Sequence, residues 1–127
     1  MQTLSDKIKA CRDGVVHNLY QGSAKKIVFV CSMGILRSAT AARLYAKKYN
    51  TRCAGTDEEA LVPLSLLLIA WATEIVFVNE ENHRRFKQTV DGDLYESLNI
   101  KVLDIPDTYN HMHPKLIEEF YKQYERI

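Results

Sequence analysis

This chain has few cysteines, no marked charge imbalance and no long apolar run. Its 127 residues include three cysteines, Cys11, Cys31 and Cys53. An odd count at irregular spacing excludes a secreted disulfide framework and points to a reducing, cytoplasmic setting. Lysine and arginine total 17 against 16 aspartates and glutamates, a net charge of +1, which leaves no basic footprint for nucleic acid. Lys25-Lys26, Lys47-Lys48 and Arg84-Arg85 are short, separated pairs that read as solvated faces. The longest apolar stretch, Leu61 to Ala72, falls short of the roughly 18–20 residues that span a bilayer. The residues after Met1 lack the apolar core of a signal peptide, and no internal repeat or low-complexity tract is present. A hydrophobic content of 46% is enough for a core that needs no metal or disulfide staple.

Apolar runs alternate with amphipathic segments along the chain. The pattern predicts strands at 26–31, 51–54, 74–79 and 98–103, with helices at 38–49, 62–72, 80–89 and 114–125. Such alternation implies an α/β fold: a four-stranded parallel sheet with helices on both faces, a three-layer sandwich. Asp57, Glu58 and Glu59 precede the second helix and Pro63 suits its first turn. Its apolar residues nearly encircle the axis, which predicts burial, with a minor share left for a weak dimer contact. Asp91-Gly92-Asp93 is a turn signal, and 94–98 is a short additional helix. Pro114 opens a last helix whose apolar stripe runs through Leu116, Ile117, Phe120, Tyr121 and Tyr124. Residues 1–24 form an extension, a helix over 4–11 ending near Gly14 and then a linker, ahead of a domain at 25–127.

One segment carries chemistry. Cys31-Ser32-Met33-Gly34-Ile35-Leu36-Arg37-Ser38 lies between the apolar run Lys26 to Val30 and the alanine-rich helix start Ala39 to Tyr45. Five residues separate the thiol from the guanidinium, a spacing that lets a tight loop wrap its backbone N–H groups around a tetrahedral oxyanion. The helix N-terminus adds a positive pole behind that loop. Thiolate, the nucleophilic form, is favoured both at a helix N-terminus and beside a cation. Arg37 offers a planar fork for two phosphate oxygens, and it can follow them as charge builds in the transition state. Ser38 is placed to give the sulfur a hydroxyl hydrogen bond. Residues Ser32 to Ser38 are therefore the expected phosphate binders, with a phosphate or sulfate ion as the simplest ligand.

The stretch Val30 to Ser38 resembles the phosphate loop of the low-molecular-weight protein tyrosine phosphatases. Three later stretches agree with the family in order: Cys53-Ala54-Gly55-Thr56 after the second strand, Ala72 to Val78 at the third, and Asp104-Ile105-Pro106-Asp107-Thr108-Tyr109. The resemblance covers about Lys25 to the C-terminus. It implies the family's α/β sandwich and a cytoplasmic, cofactor-free hydrolase acting on phosphotyrosine in proteins or on small aryl phosphates, as a monomer or weak dimer. By the same match Cys31 is the nucleophile, Arg37 holds the phosphoryl group, Asp107 is the general acid with Asp104 its competitor, and Tyr109 stacks on the substrate ring.

The loop departs from the family's usual Cys-x-Gly-Asn-x-Cys-Arg-Ser. Met33 stands at the glycine, Gly34 at the bracing asparagine and Leu36 at the second cysteine. Gly34 can keep a left-handed bend, whereas a Cβ at Met33 resists one. Cys11 and Cys53 are the remaining candidates to pair with Cys31 on oxidation. Two alternatives follow: an arsenate reductase-like enzyme, which needs resolving cysteines that 78–90 lacks, and a non-catalytic module that binds a phospho-ligand. His111 and His113 lack an evident third metal ligand, and His17 and His83 read as surface residues.

Overall fold

The computed structural model describes Ser5, residues 22–34 and residues 36–126. Apart from Ser5 and residues 22–24, the expected N-terminal helix and linker, with Cys11 and His17, lie outside the described residues, as does Ile35. Strands β1 (Lys26–Cys31), β2 (Asn50–Gly55), β3 (Glu74–Phe77) and β4 (Ile100–Val102) form one sheet in the order β2-β1-β3-β4. All three pairings are parallel. Five helices are described: α1 (Arg37–Leu44), α2 (Leu66–Trp71), α3 (Glu80–Thr89), α4 (Gly92–Glu96) and α5 (Pro114–Gln123). The α/β class and the all-parallel four-stranded sheet are as the alternating sequence pattern predicts, and the arrangement is compatible with three layers.

Period-two alternation in β1 divides the core. Ile27, Phe29 and Cys31 face one apolar cluster with Ala39, Ala41 and Ala42 of α1, Tyr45 just beyond it, and Leu116 and Phe120 of α5. Val28 and Val30 face the other, with Ile69 of α2 and Phe86 of α3. A central strand buried on both faces reads as a continuous apolar run, which is what Ile27 to Cys31 shows.

Element boundaries shift for local reasons. The first helix stops at Leu44 rather than 49, because Tyr45 turns inward to stack on Phe29 with ring centroids 5.7 Å apart. The 45–49 segment then bends back so that Asn50 N–H reaches the Lys25 carbonyl at 2.9 Å. The second helix begins at Leu66, capped by Ser65, whose side chain accepts from Leu68 N–H; Pro63 lies instead in a β-bridge with Gly55. It is also less buried than its apolar composition predicts, with Leu66 70% and Leu67 84% exposed and Ile69 alone fully inside. A six-residue helix lying on the sheet presents one side to it and turns the opposite side outward. The additional helix starts at Gly92 because the Asp91 carboxylate caps Leu94 N–H at 2.8 Å. Beyond β4 the ladder to the third strand's end continues through Leu103 and Ile105 N–H, at 2.8 and 2.9 Å.

Among the described residues no helix is long and apolar enough to cross a membrane, and no cluster of histidine, cysteine and acidic side chains could hold a metal ion.

Candidate functional site

A parallel sheet places every strand's carboxyl end on one edge, and a ligand crevice opens there between strands whose connections leave in opposite directions. In the order β2-β1-β3-β4 that point lies between β1 and β3. Cys31 ends β1, and the turn containing Asn79 follows β3. The segment 104–109 follows β4 and opens at the same edge.

The loop closes on the sulfur. Gly34 N–H donates to Cys31 Sγ at 3.1 Å, and Ser38 Oγ lies 3.0 Å from the same atom. Gly34 takes the left-handed bend, with φ 75°, so the turn sits where the sequence has a residue without a Cβ. Met33 is not in that region: among the described non-glycine residues only Met112 has positive φ. The misfit raised by a side chain at position 33 therefore does not arise. No described side chain caps the start of α1, which leaves first-turn N–H groups turned toward the loop.

Glycines set how tightly this loop lies on β2. A Cβ on Gly34 would come within 2.8 Å of the Ala54 carbonyl carbon, and one on Gly55 within 2.5 Å of the Ser32 oxygen. The backbone continues the contact: Thr56 N–H donates to the Cys31 carbonyl at 2.9 Å and Asp57 N–H to the Ser32 carbonyl at 2.8 Å.

Arg37 is 3% exposed in the first turn of α1. Its Nη1 donates to the Ile105 carbonyl at 3.1 Å, and its Nε lies 3.7 Å from Asp107 Oδ1. These contacts use part of its five-donor fork. Asp107 is two-thirds exposed and stands beside the guanidinium. The Asp104 backbone is clasped by Gln123 of α5, which accepts from its N–H at 2.6 Å and donates to its carbonyl at 2.8 Å. Tyr109 stacks on His113 with centroids 5.1 Å apart. The structure thus brings Cys31, Gly34, Arg37, Ser38 and Asp107 together, and of the two aspartates it is Asp107 that meets Arg37.

Three anchors of the site are not evident in the sequence. Thr40, buried in α1, accepts from Met112 N–H at 2.8 Å and meets His111 Nδ1 at 3.3 Å, tying the far end of the Asp107 segment to the helix behind the loop. The Ile105 carbonyl fixes Arg37. Asn82 Nδ2 donates to Ser32 Oγ at 3.1 Å and Thr56 Oγ1 at 3.3 Å. None of the three has a sequence signal, since a polar residue in a helix and a backbone carbonyl leave no pattern that marks a contact with a distant loop. The histidines have structural contacts: His113 Nδ1 accepts from Lys115 N–H at the start of α5. His83 is largely inside rather than on the surface, between Glu80 and the Tyr95 hydroxyl, the latter 2.7 Å from its Nε2.

The cysteines do not form an evident pair. No disulfide joins Cys31 to Cys53, and the register pairs Cys53 with Phe29, two residues before Cys31. Strand spacings put their Cα atoms about 8 Å apart, beyond the ~7 Å that a disulfide bridges. Cys53 is therefore a poor resolving partner where it stands. A cavity of ≈ 570 Å³ between α2 and α3 is lined by Gly55, Thr56, Asp57, Arg85 and Phe86 among others. It borders the loop at Thr56 but includes neither Cys31, Arg37 nor Asp107, so its size is no guide to where the chemistry sits.

Compared with models of known protein families, with characterised proteins and with solved structures, the chain gives no match.

Proposed function

We propose that this protein is a cysteine-dependent phosphatase that hydrolyses aryl phosphate monoesters, phosphotyrosine among them, on a fold of the low-molecular-weight tyrosine phosphatase kind. The observation that carries the reading is the convergence on one sulfur: the Gly34 N–H and the Ser38 hydroxyl both meet Cys31 Sγ, with a buried Arg37 at the same helix start and Asp107 beside it.

The chemistry follows from those positions. Cys31 Sγ attacks phosphorus as an S–P bond forms and the bond to the aryl oxygen breaks. The departing oxygen takes a proton from the Asp107 carboxyl. Arg37 and the loop N–H groups hold the three equatorial oxygens, whose charge is greatest in the transition state. Water then attacks phosphorus, gives a proton to the Asp107 carboxylate and displaces the sulfur, releasing inorganic phosphate. Ser38 stabilises the thiolate as attacker and as leaving group. Tyr109, two residues after Asp107, supplies a face for the substrate ring. An arsenate reductase would need a resolving thiol in reach of Cys31, and the strand register argues against Cys53.

The test is hydrolysis of p-nitrophenyl phosphate. Wild-type protein is expected to turn over, and Cys31→Ser to lose at least about 10³-fold of that rate, as expected when a covalent nucleophile is removed. A folded wild type inert from pH 5 to 8 would leave the non-catalytic phospho-ligand module.

A further inference from the structure

We propose that Asn82 is a positioning residue for the phosphate loop, holding Ser32 from across the sheet so that the loop's N–H groups are aimed before an anion arrives. The proposal rests on the phosphatase reading for the identity of the anion. The juxtaposition of Asn82, Ser32 and Thr56 is independent of it.

Asn82 lies in the first turn of α3 and is 1% exposed. Its Nδ2 donates to Ser32 Oγ and to Thr56 Oγ1. Its Oδ1 is buried with no hydrogen-bond partner among the described residues. An unsatisfied buried carbonyl is unfavourable, and an apolar side chain could fill the position without that penalty. An amide placed there, with only its donor half satisfied, points to work done by the donor half.

The geometry says what that work is. The Asn79 side chain caps Asn82 N–H at 2.9 Å, which fixes the start of α3 at the carboxyl end of β3. Because β3 is the neighbour of β1, Asn82 stands across the crevice from Cys31. On the other side Asp57 N–H holds the Ser32 carbonyl. Ser32 is therefore gripped by its hydroxyl from α3 and by its carbonyl from the β2 side, while Thr56 shares the Asn82 amide through its Oγ1 and holds the neighbouring Cys31 carbonyl through its N–H. Gly34, at the bend, has no side chain with which to brace the loop. An asparagine from a different helix supplies the brace.

Without that grip, ordering of the loop falls to the moment of anion binding, so affinity and turnover drop together while the core is untouched. Inorganic phosphate is titrated into labelled wild type, Asn82→Ala, Ser32→Ala and the double variant, following the Gly34 amide resonance, and kcat and KM are measured on the same samples. Each single variant is expected to weaken phosphate binding about tenfold, and the double variant no more than Asn82→Ala alone, because the bond that Ser32→Ala breaks is one that Asn82→Ala has already removed. Urea midpoints should stay near that of wild type.

Full phosphate affinity in a folded Asn82→Ala protein, or fully additive losses, overturns the proposal. If Asn82→Ala does not fold, Ser32→Ala breaks the same hydrogen bond from the other end, and unchanged affinity there is equally decisive against it. A wild type that binds phosphate without hydrolysing the ester overturns the phosphatase reading while the affinities still decide the role of Asn82. A wild type that binds no phosphate overturns both.

Discussion

Asp104 and Asp107 are three residues apart on one loop, and the sequence leaves both as candidate proton donors. The fold favours one of them: Asp107 Oδ1 stands 3.7 Å from Arg37 Nε, whereas the contacts of Asp104 are those of its backbone with Gln123. Asp107→Asn is therefore expected to slow hydrolysis of a poor leaving group by about 10²–10³, with a smaller effect on p-nitrophenyl phosphate, whose oxygen departs without help. Asp104→Asn should leave both rates near wild type. The reverse pattern, read from kcat across a leaving-group series, would reassign the acid. Cys31, Arg37 and Ser38 were legible because a thiol and a guanidinium at fixed spacing between a strand and a helix form a local pattern. Asn82 and Thr40 were not legible, because a single polar residue inside a helix looks the same whether it faces water or a neighbouring loop.

At the scale of elements, β1 and its neighbours were readable from their apolar runs, since a strand buried on both faces leaves little freedom in sequence. The short helices were less so. The second helix has leucines on most sides, yet Leu66 and Leu67 point outward, because burial depends on which side meets the sheet. The loop packs so closely on the end of β2 that Gly55 has no room for a Cβ. Gly55→Ala should lower stability by about 1–3 kcal/mol through overpacking against backbone, measured by urea denaturation. It should also displace Ser32 and reduce phosphatase turnover. A variant with unchanged midpoint and rate would show that the contact yields freely.

Across the whole molecule, the end of the sheet opposite Cys31 carries a buried charge network. Glu74 is buried at the start of β3, with Lys101 at 3.2 Å, Lys25 at 3.4 Å and the Tyr124 hydroxyl donating to it. Burial by itself would raise its pKa, but the Tyr124 hydroxyl and the two ammonium groups outweigh it and hold Glu74 below the usual 4.5. A depressed carboxyl contributes stability that is present above its unfolded value and is lost as pH falls through its folded value. Stability should therefore decline as pH drops below about 4.5, and Glu74→Gln should flatten that decline while lowering stability at neutral pH. Equal slopes for the two proteins in urea titrations from pH 6 to 3 would contradict the assignment.

The parallel sheet keeps this network and the candidate site at opposite ends. The central claim, that Cys31 carries the phosphoryl group, is tested most directly by mixing the protein with a ³²P-labelled aryl phosphate, quenching in acid within milliseconds and mapping the label. Phosphate bound covalently to Cys31, absent in Cys31→Ser and longer-lived in Asp107→Asn, is the result predicted. Turnover with label on another residue, or with none trapped in Asp107→Asn, would contradict it.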